Sequence, residues 1–230
     1  MAQDPTWITG DAAPQAGLQP AVPDGQELRR APRFTLLVRT AKLIVDGREY
    51  LCVLRDVSAT GVKVKLFHPI PPCETLELEV GNGDRYPVQL VWCREDQAGF
   101  RFPGEIDIAH LIDDNRSRFP KRQIRLRVDH MATLHVHGLV SDVVVRDISQ
   151  QGACLECDQR LMLRQPVRIE LAGFPPIFAK VCWRQQPRYG LVFENGFLLD
   201  ELAHNLMKLH EPGVPKPYSG NMAVGQRYPG

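Results

Sequence analysis

Two short constellations in this 230-residue sequence carry groups able to hold a planar, anionic ligand. The first is Arg29-Arg-Ala-Pro-Arg33. Pro32 biases Ala31 away from the α region, so the segment is extended. Four residues in that state span roughly 13 Å at most. Arg29 and Arg33 can then grip two separated acceptors, such as a phosphate and the O6/N7 edge of a guanine, both matched by the planar guanidinium fork. The competing reading is a solvated basic face with weak surface ion pairs. The second constellation is Asp56-Val-Ser-Ala-Thr-Gly61. Its carboxylate and hydroxyl either bond nearby backbone to shape a turn, with Gly61 supplying unusual dihedrals, or accept protons from a base while the glycine lets backbone approach a ligand closely. No histidine accompanies Asp56 and Ser58, so they make no activated nucleophile.

Both constellations recur. Arg146-Asp-Ile-Ser-Gln-Gln-Gly152 repeats Arg55-Asp-Val-Ser-Ala-Thr-Gly61 at an offset of 91. Lys121-Arg-Gln-Ile-Arg125 echoes Arg29-Arg-Ala-Pro-Arg33, and Val181-Cys-Trp-Arg184 with Gly190-Leu-Val-Phe193 echoes Val91-Trp-Cys-Arg94 with Gly99-Phe-Arg-Phe102. Three blocks in one order, spaced by about the length of a small domain, indicate two homologous domains. The boundaries read from the sequence are residues 27–117 and 118–211. The Pro- and Gly-rich stretches 1–26 and 212–230 bury too little to offset their ordering entropy and are expected to be a flexible leader and tail.

The elements that must position these residues are short strands. Val62, Val64 and Leu66 alternate with Lys63 and Lys65, and Leu76, Leu78 and Val80 alternate with Glu77 and Glu79, the period of half-buried strands. Gly81-Asn-Gly-Asp84 and Asp46-Gly47 supply hairpin turns. Six strands per copy, with no long helix between them, predict a mainly β chain of two six-stranded antiparallel barrels in tandem. Helical spacing follows each set, in residues 106–112 and 198–209, so a C-terminal helix is expected to plug each barrel or pack on its neighbour.

An RxxxR segment followed 23 residues later by DxSxxG, in a small barrel, resembles the PilZ domain family, the bacterial receptors for cyclic di-GMP. The resemblance covers roughly residues 29–113 and 121–209. It implies that Arg29 and Arg33 hold phosphate and guanine with Arg30 as an auxiliary contact, that Asp56 and Ser58 bond the base, and that Gly61 is a close-approach position. It also implies a weaker second site at Lys121, Arg122, Arg125, Asp147, Ser149 and Gly152. Lys121 stands where the family's first arginine belongs, and an ammonium can neither fork nor stack as a guanidinium does. The expected function is a receptor or adaptor in which cyclic di-GMP orders the arginine arm and changes the surface offered to an unidentified protein partner, with motility, exopolysaccharide or secretion control as outputs by analogy. The alternative is a nucleotide-independent interaction module with degenerate PilZ domains.

Composition narrows the remaining classes. With 28 Lys+Arg against 27 Asp+Glu the net charge is +1, which argues against a nucleic-acid coat. The basic stretch from Arg116 to Arg127 lacks an aromatic row for stacking, so no nucleic-acid partner is expected. No apolar run approaches the ~18 residues of a membrane span and no secretory signal is visible, so a cytoplasmic protein is expected. The six cysteines read as reduced thiols acting as small hydrophobes. Cys154 and Cys157, three apart on a strand, point to opposite faces, and His135 with His137 lacks a completing ligand, so no metal is expected. Trp92 and Trp183 are expected in the barrel core. No catalytic signature is present, and no enzyme activity or cofactor is expected beyond cyclic di-GMP as ligand.

Overall fold

The computed structural model describes residues 34–112 and 123–210. The predicted leader and tail, and the site candidates Arg29, Arg30, Arg33, Lys121 and Arg122, lie outside the described residues. The chain is mainly β, as the alternating patterns require. The first copy contains β1 (Phe34–Val45), β2 (Arg48–Ser58), β3 (Gly61–Leu66), β4 (Leu76–Glu79), β5 (Arg85–Pro87), β6 (Gln89–Arg94), β7 (Gln97–Arg101) and α1 (Ile108–Ile112). The second contains β8 (Leu126–Val136), β9 (Leu139–Ile148), β10 (Gly152–Glu156), β11 (Pro166–Leu171), β12 (Ile177–Gln185), β13 (Arg188–Phe193) and α2 (Leu199–Leu209).

The second copy is a closed antiparallel barrel in the order β10-β13-β12-β11-β8-β9. The first is a seven-stranded sheet, β5-β4-β1-β2-β3-β7-β6. Its two edge strands are consecutive pieces of one run, interrupted only at Val88, so the sheet curls round and its edges meet through the chain itself. The corresponding strand of the second copy, β12, is unbroken and pairs with both β11 and β13. The seventh strand is therefore the expected fifth strand divided in two. Pro87, which has no N–H to give a ladder, stands at the break.

Inward side chains form two cores. One gathers Leu43, Leu54, Val64, Leu78 and Phe100 with Leu111 of α1, and the other gathers Leu134, Val145, Leu155, Ile169 and Leu191 with Leu202 and Leu206 of α2. Residues Glu49–Leu54 of β2 are buried on both faces. The reason is that the outer face of β2 meets the second copy: Leu51 belongs to the second core, and Phe67 packs on it. The alternation that exposes one face of β3 is absent from Tyr50-Leu-Cys-Val-Leu54 because neither face is wet.

Candidate functional site

The DxSxxG segments occupy the β2–β3 and β9–β10 turns, and the two copies build these turns alike. Ser58 Oγ donates to the Gly61 carbonyl at 3.2 Å, and Ser149 Oγ donates to the Gly152 carbonyl at 3.1 Å. Each serine is buried and its hydroxyl proton is committed to the turn, which leaves the oxygen able only to accept from a further donor. The following strand staples the turn: Phe102 N–H donates to Thr60 O and Ile106 N–H to Ala59 O, as Phe193 does to Gln151 and Phe197 to Gln150.

The glycines are required by the neighbouring strand. Neither Gly61 nor Gly152 has a positive φ. A Cβ on Gly61 would lie 2.5 Å from the Phe100 carbonyl oxygen, and one on Gly152 would meet the Leu191 carbonyl oxygen. The unusual dihedrals expected for Gly61 are not its role, since close backbone packing against β7 already excludes a side chain.

A bulge precedes each motif aspartate. Arg55 is the extra residue between Leu54 and Asp56 in the pairing of β2 with β3, and Arg146 holds the same place in β9 against β10. Beyond the bulge the rows realign. Asp56 pairs with Lys63, Lys63 with Gly99, and Gly99 with Trp92, so four adjacent strands present one row on the same face. The next row is Ser58, Gly61, Arg101 and Gln89. Together they line a cleft of about 200 Å³ that includes Asp56, Ser58, Gly61, Lys63, Trp92 and Arg101. That is smaller than the roughly 300–1,000 Å³ of a complete small-molecule pocket, so a ligand of nucleotide size needs another wall.

The chain that can supply this wall starts at the site. Phe34 pairs with Val57 and Thr35 with Asp56. In the second copy Leu126 pairs with Ile148 and Arg127 with Asp147, in the same register relative to the motif. There the expected partners meet: Arg125 Nη1 donates to Asp147 Oδ1 at 2.6 Å in a partly exposed ion pair. Arg125 and Asp147, singled out by separate motifs, are thus neighbours in space in the second copy.

Trp92 and Trp183 depart from expectation. They are not in the core: 38% and 40% of their surfaces are exposed. Each indole lies over a glycine on the facing strand, Gly99 or Gly190, where a Cβ would collide with the ring. A bulge on β6 and on β12 turns the tryptophan to the outer face. The sequence signal was the recurrence of Trp and Gly at the repeat offset; size and apolarity alone pointed inward. Lys63 and Arg101 were also unassigned, although the alternation in β3 already placed Lys63 on the outer face.

The surroundings of the bulge arginines differ. Arg146 makes paired bonds to Glu156 at 3.0 and 2.9 Å and a third to Asp129 at 3.1 Å. Hydrogen bonding from Arg146 holds the Glu156 carboxyl below its ordinary range. Lys65 stands at the repeat position of Glu156, and among the described residues Arg55 has no ion-pair partner. Cys154 and Cys157 are buried, and burial raises both thiols, Cys157 to about 11. Cys73, Cys93 and Cys182 are exposed, so only half the cysteines act as interior hydrophobes. His135 is held by Glu170 at 3.2 Å, while His137 lies in the turn at φ 49°. Among the described residues no cluster of three or more His, Cys, Asp or Glu could hold a metal, and no helix is long and apolar enough to cross a membrane.

Comparison with known proteins adds three findings. The family model described as "PilZ domain" matches residues 27–114 and 115–203. Among curated proteins no sequence matches. Solved structures are similar at low identity and low TM-score. The Borreliella burgdorferi PlzA protein in complex with c-di-GMP is 12% identical, covering 77% of this chain and 94% of that one at a TM-score of 0.33. YcgR from Escherichia coli in complex with c-di-GMP is 10% identical, with coverages of 74% and 81% and a TM-score of 0.31. The Bacillus subtilis inhibitor of motility MotI/DgrA is 10% identical, with coverages of 77% and 97% and a TM-score of 0.32.

Proposed function

The chain belongs to the PilZ domain family, and from that premise we propose that it is a cyclic di-GMP receptor with its main site in the first copy. The observation that carries the reading is the 2.6 Å pair between Arg125 and Asp147, which brings the two family motifs together on one barrel lip. The matching register of Phe34 on Val57 supports the same meeting of Arg33 with Asp56 in the first copy. Phe34 lies five positions beyond Arg29, a reach of up to roughly 17 Å when extended. That length is enough to bring Arg29 and Arg33 over the cleft as its missing wall. Arg29 and Arg33 take phosphate and a guanine edge, Arg30 assists, Asp56 accepts from guanine N–H groups, and Ser58 offers its free lone pairs. Trp92 gives a base a flat apolar surface on which to stack.

In the second copy the same roles fall to Lys121, Arg122, Arg125, Asp147, Ser149 and Gly152. One feature weakens that site: Lys121 loses the fork. The second copy then serves mainly as an interaction module. Ordering of the arginine arm on the nucleotide changes the surface that a protein partner meets, in a cytoplasmic signalling role without catalysis.

Calorimetric titration of the full chain with cyclic di-GMP tests this. Arg33→Ala is expected to weaken binding by about 10- to 100-fold, the loss of a charge-assisted bond. Arg125→Ala is expected to change the tighter phase by less than about threefold. Affinity left intact by Arg33→Ala overturns the receptor reading in favour of a nucleotide-independent module.

A further inference from the structure

The motifs are shared by both copies, but the cleft around them is not. Lys63 on β3 pairs directly with Asp56 on β2, and Arg101 on β7 pairs directly with Gly61 on β3. At the equivalent positions of the second barrel, Cys154 pairs with Asp147 and Val192 pairs with Gly152. Both replacements remove a cation from the row that carries the motif. Resting on the cyclic di-GMP reading, we propose that Lys63 and Arg101 are a second anion-holding pair, built on the barrel strands that line the cleft, and that they make the first site the tighter one.

The ordinary explanation for Lys63 is a solvated strand face. Its neighbour Lys65 fits that description, since it pairs with Asp96 at 3.5 Å outside the cleft. Lys63 differs: it lines the cleft, and among the described residues it forms no ion pair, even with Asp56 opposite. Arg101 donates to the neutral Gln89 Oε1 at 3.1 Å, so its charge is not cancelled by a carboxylate. An ammonium and a guanidinium facing a concave surface, with Trp92 beside them, suit a ligand that joins flat bases to phosphodiesters. The second barrel places a lysine, Lys180, at the position of Gln89, but it lies one strand further from the motif and pairs with Glu194 at 3.5 Å. Both cations stand on strands, which lowers the ordering cost of using them in binding.

Full-length protein is titrated with cyclic di-GMP as wild type, Lys63→Gln, Arg101→Gln and Lys63→Arg, with Lys208→Gln on α2 as a remote control. Each Gln variant is expected to weaken the tight phase about tenfold, and Lys63→Arg to stay within about threefold of wild type. The gap between wild type and the Gln variants narrows as salt rises from 0.05 to 0.5 M, since exposed charges are screened over a Debye length of ~10 Å at 0.1 M. Val192→Arg, at an exposed position, adds a cation to the second site and is expected to strengthen its weak phase several-fold. Wild-type binding matched by both Gln variants overturns the proposal and leaves the receptor reading standing. No binding by the wild type overturns both.

Discussion

Ser58 and Gly61 illustrate how a binding motif is constrained before any ligand arrives. The hydroxyl closes the turn on the Gly61 carbonyl, and the glycine leaves room for the Phe100 carbonyl. Ser58→Ala removes one neutral hydrogen bond and is expected to cost about 1 kcal/mol. Gly61→Ala forces backbone of β3 and β7 apart and is expected to cost more, about 2–4 kcal/mol. Denaturant unfolding of both variants checks this order, and a Gly61→Ala protein as stable as wild type refutes the packing explanation. At this scale the sequence offered the residue types of a candidate site, because charged and hydroxyl groups in a fixed spacing are legible without coordinates. The turn-shaping bond of Ser58 is local and was one of the readings the sequence offered, whereas the close packing of Gly61 on a neighbouring strand was hidden because it comes from Phe100, about 40 positions away.

At the scale of elements, the strands were legible where one face is wet and obscure where neither is. Lys63 and Lys65 mark β3 by alternation, whereas Tyr50–Leu54 carries no period because the second copy covers its outer face. Bulges were invisible in the pattern, and they carry the largest consequence for the site: a one-residue slip sends a side chain to the opposite face. The slip between Leu90 and Trp92 is what turns the indole outward. Stacking on an exposed indole is worth roughly 1–3 kcal/mol per base by alanine substitution, so Trp92→Ala is expected to weaken cyclic di-GMP binding by about 5- to 100-fold. Since Trp92 fills no core volume, the melting temperature should move by only a few degrees. An unchanged affinity excludes the stacking role. A large loss of stability with no independent loss of binding assigns Trp92 to the fold.

The whole molecule is held by polar contacts as well as by Leu51. Glu49 is 9% exposed and accepts from the Arg127 backbone N–H at 2.8 Å while pairing with Lys42 at 3.0 Å. Arg127 lies two residues beyond Arg125, so the first copy braces the strand that carries the second site's arginine. Beside it Tyr50 packs between His68 and His210, each with ring centroids 4.6 Å away. Burial pushes His210 down to about 4, helped by Arg48 and by His68 and His130, and burial also lowers His68. His204 of α2 faces the same cluster. The buried Nδ1 of His210 has no hydrogen-bond partner among the described residues, so a proton placed there brings an unsatisfied charge into the joint. The folded value of His210 lies below the ordinary 6.5, so the unfolded chain binds the extra proton first. Stability from this ring is complete above pH 6.5, falls as pH drops toward 4 and is lost below it. The loss amounts to about 2 kcal/mol once solvent screening at a ring not fully enclosed is allowed for. Acidic groups titrate in part of the same window, so the quantity to measure is the difference between wild type and His210→Phe. Phenylalanine keeps the edge contact with Tyr50 and removes the titration. Between pH 7.5 and 4 the wild type should lose about 2 kcal/mol more unfolding free energy than the variant. Parallel curves would mean that His210 does not titrate within the joint between the two copies.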